Sequence, residues 1–256
     1  MPGSDQELKQ GESSDTLFDG KLKFIQHRRG YRFSLDAILL AAFVSLRPRD
    51  CVADLGTGTG VIPIILADRN AGVRITGFEL QPALLDRARR SVAVNGFSAR
   101  IQVVHGDIRR IDSVARPGSF DSVVCNPPYR RASSGRISPN AERQIARHES
   151  AGGLEDFLSA AAFLLRPKGR FTIVYLASRA VDLFAALRQT GLEPKRARMV
   201  HSRLDSAASL VLAEAVKGGR PGVAIRPPLI VYDKDDYTRE VAAILKGSPP
   251  RFVSAF

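Results

Sequence analysis

The segment Cys51–Asp68 reads CVADLGTGTGVIPIILAD, and it decides the fold. Its opening stretch, Cys51–Leu55, has the apolar character of a buried strand. Glycines at positions Gly56, Gly58 and Gly60 then allow the backbone to turn tightly and to approach a ligand closely. An apolar helix is predicted for the rest of the segment. A strand, a glycine-rich turn and a helix in succession are typical of the first unit of a ligand-binding α/β sheet.

The remainder of the chain continues this alternation of strands and helices. Strands are predicted at 73–78, 101–104, 120–125 and 169–175, and helices at 35–46, 82–95, 154–165 and 178–190. This order predicts a doubly wound α/β sheet that is mostly parallel. Two later strands, at 197–201 and 209–214, are expected to form an antiparallel C-terminal edge. Acids follow two of the parallel strands, Glu79 and Asp107, and Asp54 precedes the glycines.

A second motif, Asn126-Pro127-Pro128-Tyr129, directly follows the predicted strand 120–125. Two successive prolines end the hydrogen-bond ladder and hold the turn rigid. The Asn126 side-chain oxygen and the Pro127 carbonyl can then point the same way, and two converging acceptors suit a planar NH₂ group. The Tyr129 ring offers a surface on which a base or an amide can stack. From these residues alone, a proline-terminated strand with an aromatic plug is the alternative.

The charge of the chain indicates a polyanionic partner. The formal net charge is +12 and the pI is about 10.3, a balance often found in proteins that bind nucleic acid. Solubility charge is the alternative explanation. No apolar run approaches the roughly 20 residues of a membrane span, and the N-terminus lacks the apolar core of a signal peptide. Cys51 and Cys125 are expected to be buried thiols of a cytoplasmic protein, and no metal-ligand spacing is present.

Four segments are expected along the chain. Residues 1–16 form a disordered tail, 17–49 a hairpin and a helix, 50–216 the sheet domain, and 217–256 a C-terminal extension. Arginines are concentrated in 28–32 and in the long loop 130–148. Because this loop directly follows the asparagine-proline motif, we expect it to contact the substrate.

Together the two motifs resemble those of class I S-adenosylmethionine-dependent methyltransferases, over roughly residues 50–212. Asp54–Gly60 is similar to the first motif of that class, and Asn126–Tyr129 resembles the catalytic motif of members that methylate planar nitrogens. The resemblance implies S-adenosylmethionine as the cofactor. It also implies that Asn126, Pro127 and Tyr129 are catalytic. The residues expected at the cofactor are Asp54, Gly56, Thr57, Gly58, Gly60, Glu79, Asp107 and Asn126.

Within that resemblance, two acids have specific expected roles. Glu79 matches the acid that holds the ribose hydroxyls, and Asp107 matches the residue that contacts the adenine amine. For each of them, a surface carboxylate at the end of a strand is the alternative.

Flanking segments are similar to the bacterial tRNA1(Val) (adenine-N6)-methyltransferase family. They include Gln26–Ala42, Gly135–Pro139, Ala146–Glu149 and Ile230–Val241. This resemblance implies methylation of the adenosine at position 37 of tRNA1(Val), with the anticodon stem-loop as partner. It also implies that Asp36 lies near the cofactor, although on sequence alone a carboxylate at a helix start is an equal alternative. The residues expected to bind the RNA are Arg28, Arg29, Arg130, Arg131 and Arg136.

Three other functions remain open from the sequence. One is a glutamine-N5 methyltransferase of release factors, although such enzymes have a longer N-terminal helical domain than the roughly 50 residues available here. The second is another rRNA or DNA amino-methyltransferase, and the third is a catalytically silent RNA-binding module. The oligomeric state cannot be derived from the sequence.

Overall fold

The computed structural model describes residues 8–29, 33–128 and 152–248. Their main feature is an eight-stranded sheet with the strand order β10-β8-β9-β7-β6-β3-β4-β5. Its strands are β3 (Cys51–Leu55), β4 (Arg74–Glu79), β5 (Ile101–His105), β6 (Phe120–Cys125), β7 (Leu165–Leu176), β8 (Leu192–His201), β9 (Ala208–Lys217) and β10 (Ala224–Ile230). Two hairpins accompany it, β1 (Glu12–Leu17) with β2 (Leu22–His27) and β11 (Tyr232–Asp233) with β12 (Asp236–Tyr237).

The sheet is parallel from β5 to β7, as the sequence predicts, and β9 then runs antiparallel to both β7 and β8. The predicted antiparallel region is therefore confirmed, and it is longer than predicted. The outermost strand was missed, because the prolines Pro227 and Pro228 argue against an interior strand. They are tolerated in β10, which lies at the sheet edge and shifts register between Arg226 and Leu229.

Helices cover both faces of the sheet. The first face carries α1 (Leu35–Phe43), α2 (Val61–Arg69), α3 (Pro82–Val94) and α6 (Arg239–Leu245), whereas α4 (Leu154–Leu164) and α5 (Ala180–Gln189) lie on the second. Alternate residues of each strand supply the two cores, because successive side chains point to opposite faces. In β6, for example, Val124 belongs to the first core and Val123 to the second, and both are fully buried.

The N-terminal hairpin begins earlier than predicted. Residues 12–16 were assigned to a disordered tail, but they form most of strand β1. The sequence ESSDTL has no apolar pattern that would predict a strand. It is held instead by Glu12, which is buried and ion-paired with Arg87 and Arg90 of α3. Residues 1–7 lie outside the described part of the chain.

In the described residues, no helix is both long enough and apolar enough to span a membrane. The carboxyl ends of β3, β4, β5, β6 and β7 lie along one edge of the sheet, since these strands are parallel. We call this the carboxyl edge and the opposite one the amino edge. Ligands of open α/β sheets bind outside the carboxyl ends of the strands, so the candidate site belongs at that edge.

Candidate active site at the carboxyl edge

The register of the central strands brings the two sequence motifs together. Leu55, the last residue of β3, pairs with Cys125 on one side and with Phe78 on the other. One residue further along, Gly56 therefore lies between Asn126 and Glu79. Neighbouring strands are about 4.8 Å apart. The start of the glycine turn and the start of the asparagine-proline motif are thus direct neighbours at the carboxyl edge.

The glycine turn adopts the conformations that its sequence predicts. Gly56, Gly58 and Gly60 have φ of 70°, 59° and 84°, and such left-handed angles favour glycine. The backbone amides of Gly56 and Thr57 both donate to the Phe78 carbonyl at 2.9 Å. Gly56 is exposed and Gly58 is half-buried, whereas their neighbours are buried. Part of the turn therefore presents bare backbone to the outside, where a ligand can approach it.

Asp54 lies beneath this turn and is almost completely buried, with 1% of its surface exposed. Its Oδ2 accepts a hydrogen bond from the Thr57 hydroxyl at 2.6 Å, but its Oδ1 has no partner. Burial raises the pKa of the Asp54 carboxyl from 3.8 to about 7, the Thr57 hydroxyl lowers it, and the charge of Glu79 raises it further. A buried acceptor without a partner is costly, and a bound cationic group would remove that cost.

Glu79 has a second role that sequence reasoning missed, because it fastens the glycine turn. Its Oε2 accepts from the backbone amide of Gly58, and its Oε1 accepts from that of Gln81, each at 2.8 Å. Burial raises the pKa of Glu79, and these backbone hydrogen bonds oppose the shift. An ionised carboxylate has about four acceptor positions. Glu79 therefore retains acceptor capacity for a ligand while it holds the turn.

Asp107 lies beyond the end of β5 and is engaged by a neighbour that sequence reasoning also missed. Arg109 forms an ion pair with it at 2.5 Å, and the Arg109 backbone amide donates to Asp107 Oδ1 at 3.0 Å. These hydrogen bonds hold the pKa of Asp107 below its usual value. Asp107 is only two residues past His105, which pairs with Glu79. The two acids therefore lie at adjacent strand ends, as predicted.

Asn126 and Pro127 follow β6 without interruption. Asn126 is half-buried and Pro127 is buried, so the motif lies within the edge of the sheet. Tyr129, Arg130, Arg131 and Arg136 lie outside the described residues. The proposed stacking ring and the proposed loop arginines therefore stay predictions.

Arg28 and Arg29 are exposed residues at the end of β2. Arg28 Nε donates to the Glu12 carbonyl at 3.1 Å, which ties that side chain to the hairpin. The start of α1 follows within a few residues and contains Asp36. That Arg28, Arg29 and Asp36 act at the site stays a prediction.

A comparison with known proteins gives the family of this chain. Residues 35–190 match the methyltransferase small domain family. A tRNA1(Val) (adenine(37)-N6)-methyltransferase of Porphyromonas gingivalis is 34% identical over 70% of this chain and 69% of its own length. An enzyme of the same description from Phocaeicola vulgatus is 29% identical over 90% of this chain and 95% of its own.

Solved structures support the fold. A crystal structure described as a predicted O-methyltransferase from Agrobacterium tumefaciens has a TM-score of 0.70 and 25% identity, and it covers 84% of this chain and 97% of its own. A geranyl diphosphate methyltransferase solved with S-adenosylmethionine has a TM-score of 0.51 and 15% identity, over 71% of this chain and 84% of its own. This protein is therefore an S-adenosylmethionine-dependent methyltransferase of the methyltransferase small domain family, and it belongs with the tRNA1(Val) (adenine(37)-N6)-methyltransferases.

Proposed function

We propose that this protein methylates N6 of adenosine-37 in tRNA1(Val). The observation that carries the proposal is the register that sets Asn126 beside Gly56 at the carboxyl edge. This register brings the asparagine-proline motif, which suits a planar amine, next to the glycine turn, which suits the cofactor. The names of the relatives supply the substrate, since several of them are tRNA1(Val) (adenine(37)-N6)-methyltransferases.

The residues at the edge fit the cofactor. The exposed backbone of Gly56 admits a close approach by the methionine part, and the unpartnered Asp54 Oδ1 is an acceptor suited to its ammonium group. Glu79 and Asp107 lie at adjacent strand ends. Glu79 retains acceptor positions for the ribose hydroxyls, whereas Asp107 accepts four hydrogen bonds from Arg109 and would exchange one of them to accept from the adenine amine. When bound, the cofactor supplies a methyl group activated by its own sulfonium, so the protein needs no metal for this step.

The part of Asn126 and Pro127 in the reaction follows from the electronic structure of the target amine. The lone pair of an exocyclic NH₂ is delocalised into its ring, which makes it a weak nucleophile. The Asn126 side-chain oxygen and the Pro127 carbonyl would each accept a hydrogen bond from one N–H of the amine. These two hydrogen bonds draw the nitrogen toward sp³ geometry and free the lone pair. The same acceptors stabilise the positive charge that develops in the transition state. Tyr129 would clamp the everted base by stacking.

The RNA would be held by arginines on the same side of the molecule. We expect Arg28 and Arg29 to act there, together with Arg130, Arg131 and Arg136, which follow the motif directly. Arginines bind phosphates and set the position of an RNA without reading its sequence. Action on tRNA is consistent with the cytoplasmic location that the sequence predicts.

The test is the direct identification of the methylated group. Purified protein is incubated with labelled S-adenosylmethionine and either a tRNA1(Val) transcript or a bacterial release factor. We expect label in N6-methyladenosine at position 37, detected by nucleoside mass spectrometry, and none in the protein. A transcript with guanosine at position 37 is the matched control. Label on a release-factor glutamine with unmodified RNA would refute the proposal in favour of glutamine methylation.

A further inference from the structure

The second face of the sheet is incompletely covered near the amino edge. Between β5 and β6 the chain forms only a short 3-10 helix, Ile108–Ser113, where a doubly wound sheet ordinarily has a full helix. The face of a parallel sheet is normally covered. Here the neighbours Thr76 and Gln102, which pair across β4 and β5, are half-buried and exposed. Their polar side chains are suited to contact with water or with a polar ligand.

This opening forms a groove of about 510 Å³. It runs along the amino ends of β3 to β6, and its polar lining includes Arg74, Arg100, Ser98 and Ser119, besides Thr76 and Gln102. The groove is on the opposite edge from Asn126, so it does not belong to the site described above.

Arginines dominate the charge around the groove. The segments that lead into β3, β4, β5 and β6 contain Arg47, Arg49, Arg74, Arg100 and Arg116, and only two acids, Asp50 and Asp121. Asp50 is buried and accepts from the Arg47 backbone amide at 2.8 Å. Asp121 accepts from the Cys51 amide at 2.7 Å and pairs with Arg166. Both acids are thus already engaged within the protein.

Several of these arginines have no acid to neutralise them. Arg47, Arg49, Arg74 and Arg116 are exposed, and in the described residues no ion pair involves any of the four. Arg100 differs, because it donates to the carbonyls of Ala67 and Asn70 and so has a structural role. The exposed arginines form a surface with an excess of positive charge, which we call the amino-edge patch.

The carboxyl edge of the same four strands has a different balance in the described residues. The ends of these strands and the residues just beyond them contain Glu79 and Asp107 against Arg109 and Arg110. The described basic surface around these strands is therefore concentrated away from the reaction site. The positive charge of this surface attracts a negatively charged phosphodiester backbone, and backbone contacts dominate the affinity of proteins for nucleic acids.

We propose that the groove and the amino-edge patch bind the phosphodiester backbone of the substrate tRNA at a part remote from the target adenosine. This inference rests on the proposed function. The six residues of β6 separate the two edges by about 20 Å, and a folded RNA with helical arms beyond the target loop is large enough to reach both. Recognition there is by shape and phosphate position, as is usual for helical RNA.

The test compares two RNAs and two double variants. The RNAs are full-length tRNA1(Val) and its isolated anticodon stem-loop. Arg74→Glu with Arg116→Glu reverses charge at the groove. The control, called the lysine control, is Lys234→Glu with Arg239→Glu, which makes the same change of net charge at exposed residues that follow β10, at the far end of the strand order from β5. Dissociation constants are measured by fluorescence anisotropy at low and moderate salt, alongside methyl transfer to each RNA.

We expect the arginine double variant to bind full-length tRNA about tenfold more weakly, with a shallower salt dependence, and to bind the stem-loop within about twofold of wild type. The lysine control should leave both affinities unchanged. The proposal would be overturned if the arginine double variant lowered the affinity for both RNAs equally or for neither. It would also be overturned if the lysine control lowered the affinity for full-length tRNA as much as the arginine double variant does. Thermal unfolding of each variant checks that it is folded. If the charge reversal impairs folding, Arg74→Gln with Arg116→Gln replaces it, and we expect this neutral variant to change log Kd for full-length tRNA by about half as much.

The binding and methylation measurements together separate this inference from the proposed function. If wild-type protein methylates neither RNA but the arginine double variant still binds full-length tRNA more weakly and the stem-loop as wild type does, the proposed function fails and the groove remains an RNA site. If both RNAs are methylated and bound alike by wild type and variant, the proposed function stands and the groove has no part in binding.

Discussion

Asn126 supplies one of the two hydrogen-bond acceptors in the proposed reaction, and its removal separates binding from chemistry. We expect Asn126→Ala to lower kcat about 10²–10³-fold, by analogy with the loss of one donor from an oxyanion site. Its affinity for S-adenosylmethionine should change little, since the glycine turn and the acids beside it remain. Single-turnover kinetics and calorimetry measure the two quantities. Full activity at saturating cofactor would contradict the catalytic role.

Because of Asp54, the stability of the protein should decrease as pH rises, whereas a salt-bridged acid makes stability increase as pH rises. Its pKa is 3.8 in the ordinary state and about 7 when folded, so the native state retains a proton that the unfolded chain has lost. Stability therefore falls as pH rises from about 4 to about 7 and is level above that range. A shift of this size corresponds to roughly 4 kcal/mol at most.

We expect Asp54→Asn to remove much of this slope, because the amide is neutral at every pH and keeps an oxygen for the Thr57 hydroxyl. Urea unfolding of the cofactor-free protein between about pH 5 and about pH 8 measures the difference. Cofactor affinity should fall in the same variant, since the unpartnered oxygen is the proposed ammonium acceptor. Parallel stability curves for wild type and variant would show that Asp54 is not the titrating group.

At the scale of elements, strand β1 of the N-terminal hairpin depends on the buried carboxylate of Glu12, which pairs with Arg87 and Arg90. Glu12 accepts from Arg90 at 2.6 and 2.8 Å, and this interaction is the main reason that the pKa of Glu12 is lowered from 4.5 to about 2. The stabilisation is present above about pH 4.5 and is lost as pH falls through about 2.

Glu12→Gln should destabilise the hairpin by about 1–3 kcal/mol near pH 7, because Arg90 then loses its buried charged partner and keeps only the more exposed Asp86. Faster amide hydrogen exchange confined to β1 and β2 is the expected readout. Asp86→Asn provides the control, since Asp86 also pairs with Arg90 but is 42% exposed, and exposed pairs contribute little. If both variants exchange alike, burial of Glu12 is not what secures the hairpin.

The same elements show what the sequence could predict. The glycine turn and the strand before Asn126 were placed correctly, because local patterns of apolar residues, glycine and proline specify them. The hairpin start and β10 were missed, since Glu12 and the prolines of β10 depend on contacts with α3 and on an edge position. The second role of Glu79 and the Asp107–Arg109 pair also come from tertiary geometry, and no local pattern indicates them.

For the whole molecule, the net charge of +12 is less informative than its distribution. The sequence led us to expect the basic residues at the mouth of the site. In the described residues, the amino-edge patch lies on the side opposite Asn126, and a place for Arg28 and Arg29 at the mouth of the site stays a prediction. A linear sequence shows how many arginines exist, but strand order and direction decide which edge they reach.

Arg29 provides a test of the catalytic side that complements the groove. It is exposed at the end of β2, and a contact with the anticodon stem-loop would be shared by both RNAs. We expect Arg29→Glu to weaken the stem-loop and the full-length tRNA to the same degree, about tenfold at low salt, and to lower the salt slope by about one. Lys23→Glu, an equal change of charge nearer the other end of the same strand, should alter neither. A loss restricted to full-length tRNA would mean that the stem-loop does not reach this hairpin, and the orientation proposed for the RNA would be wrong.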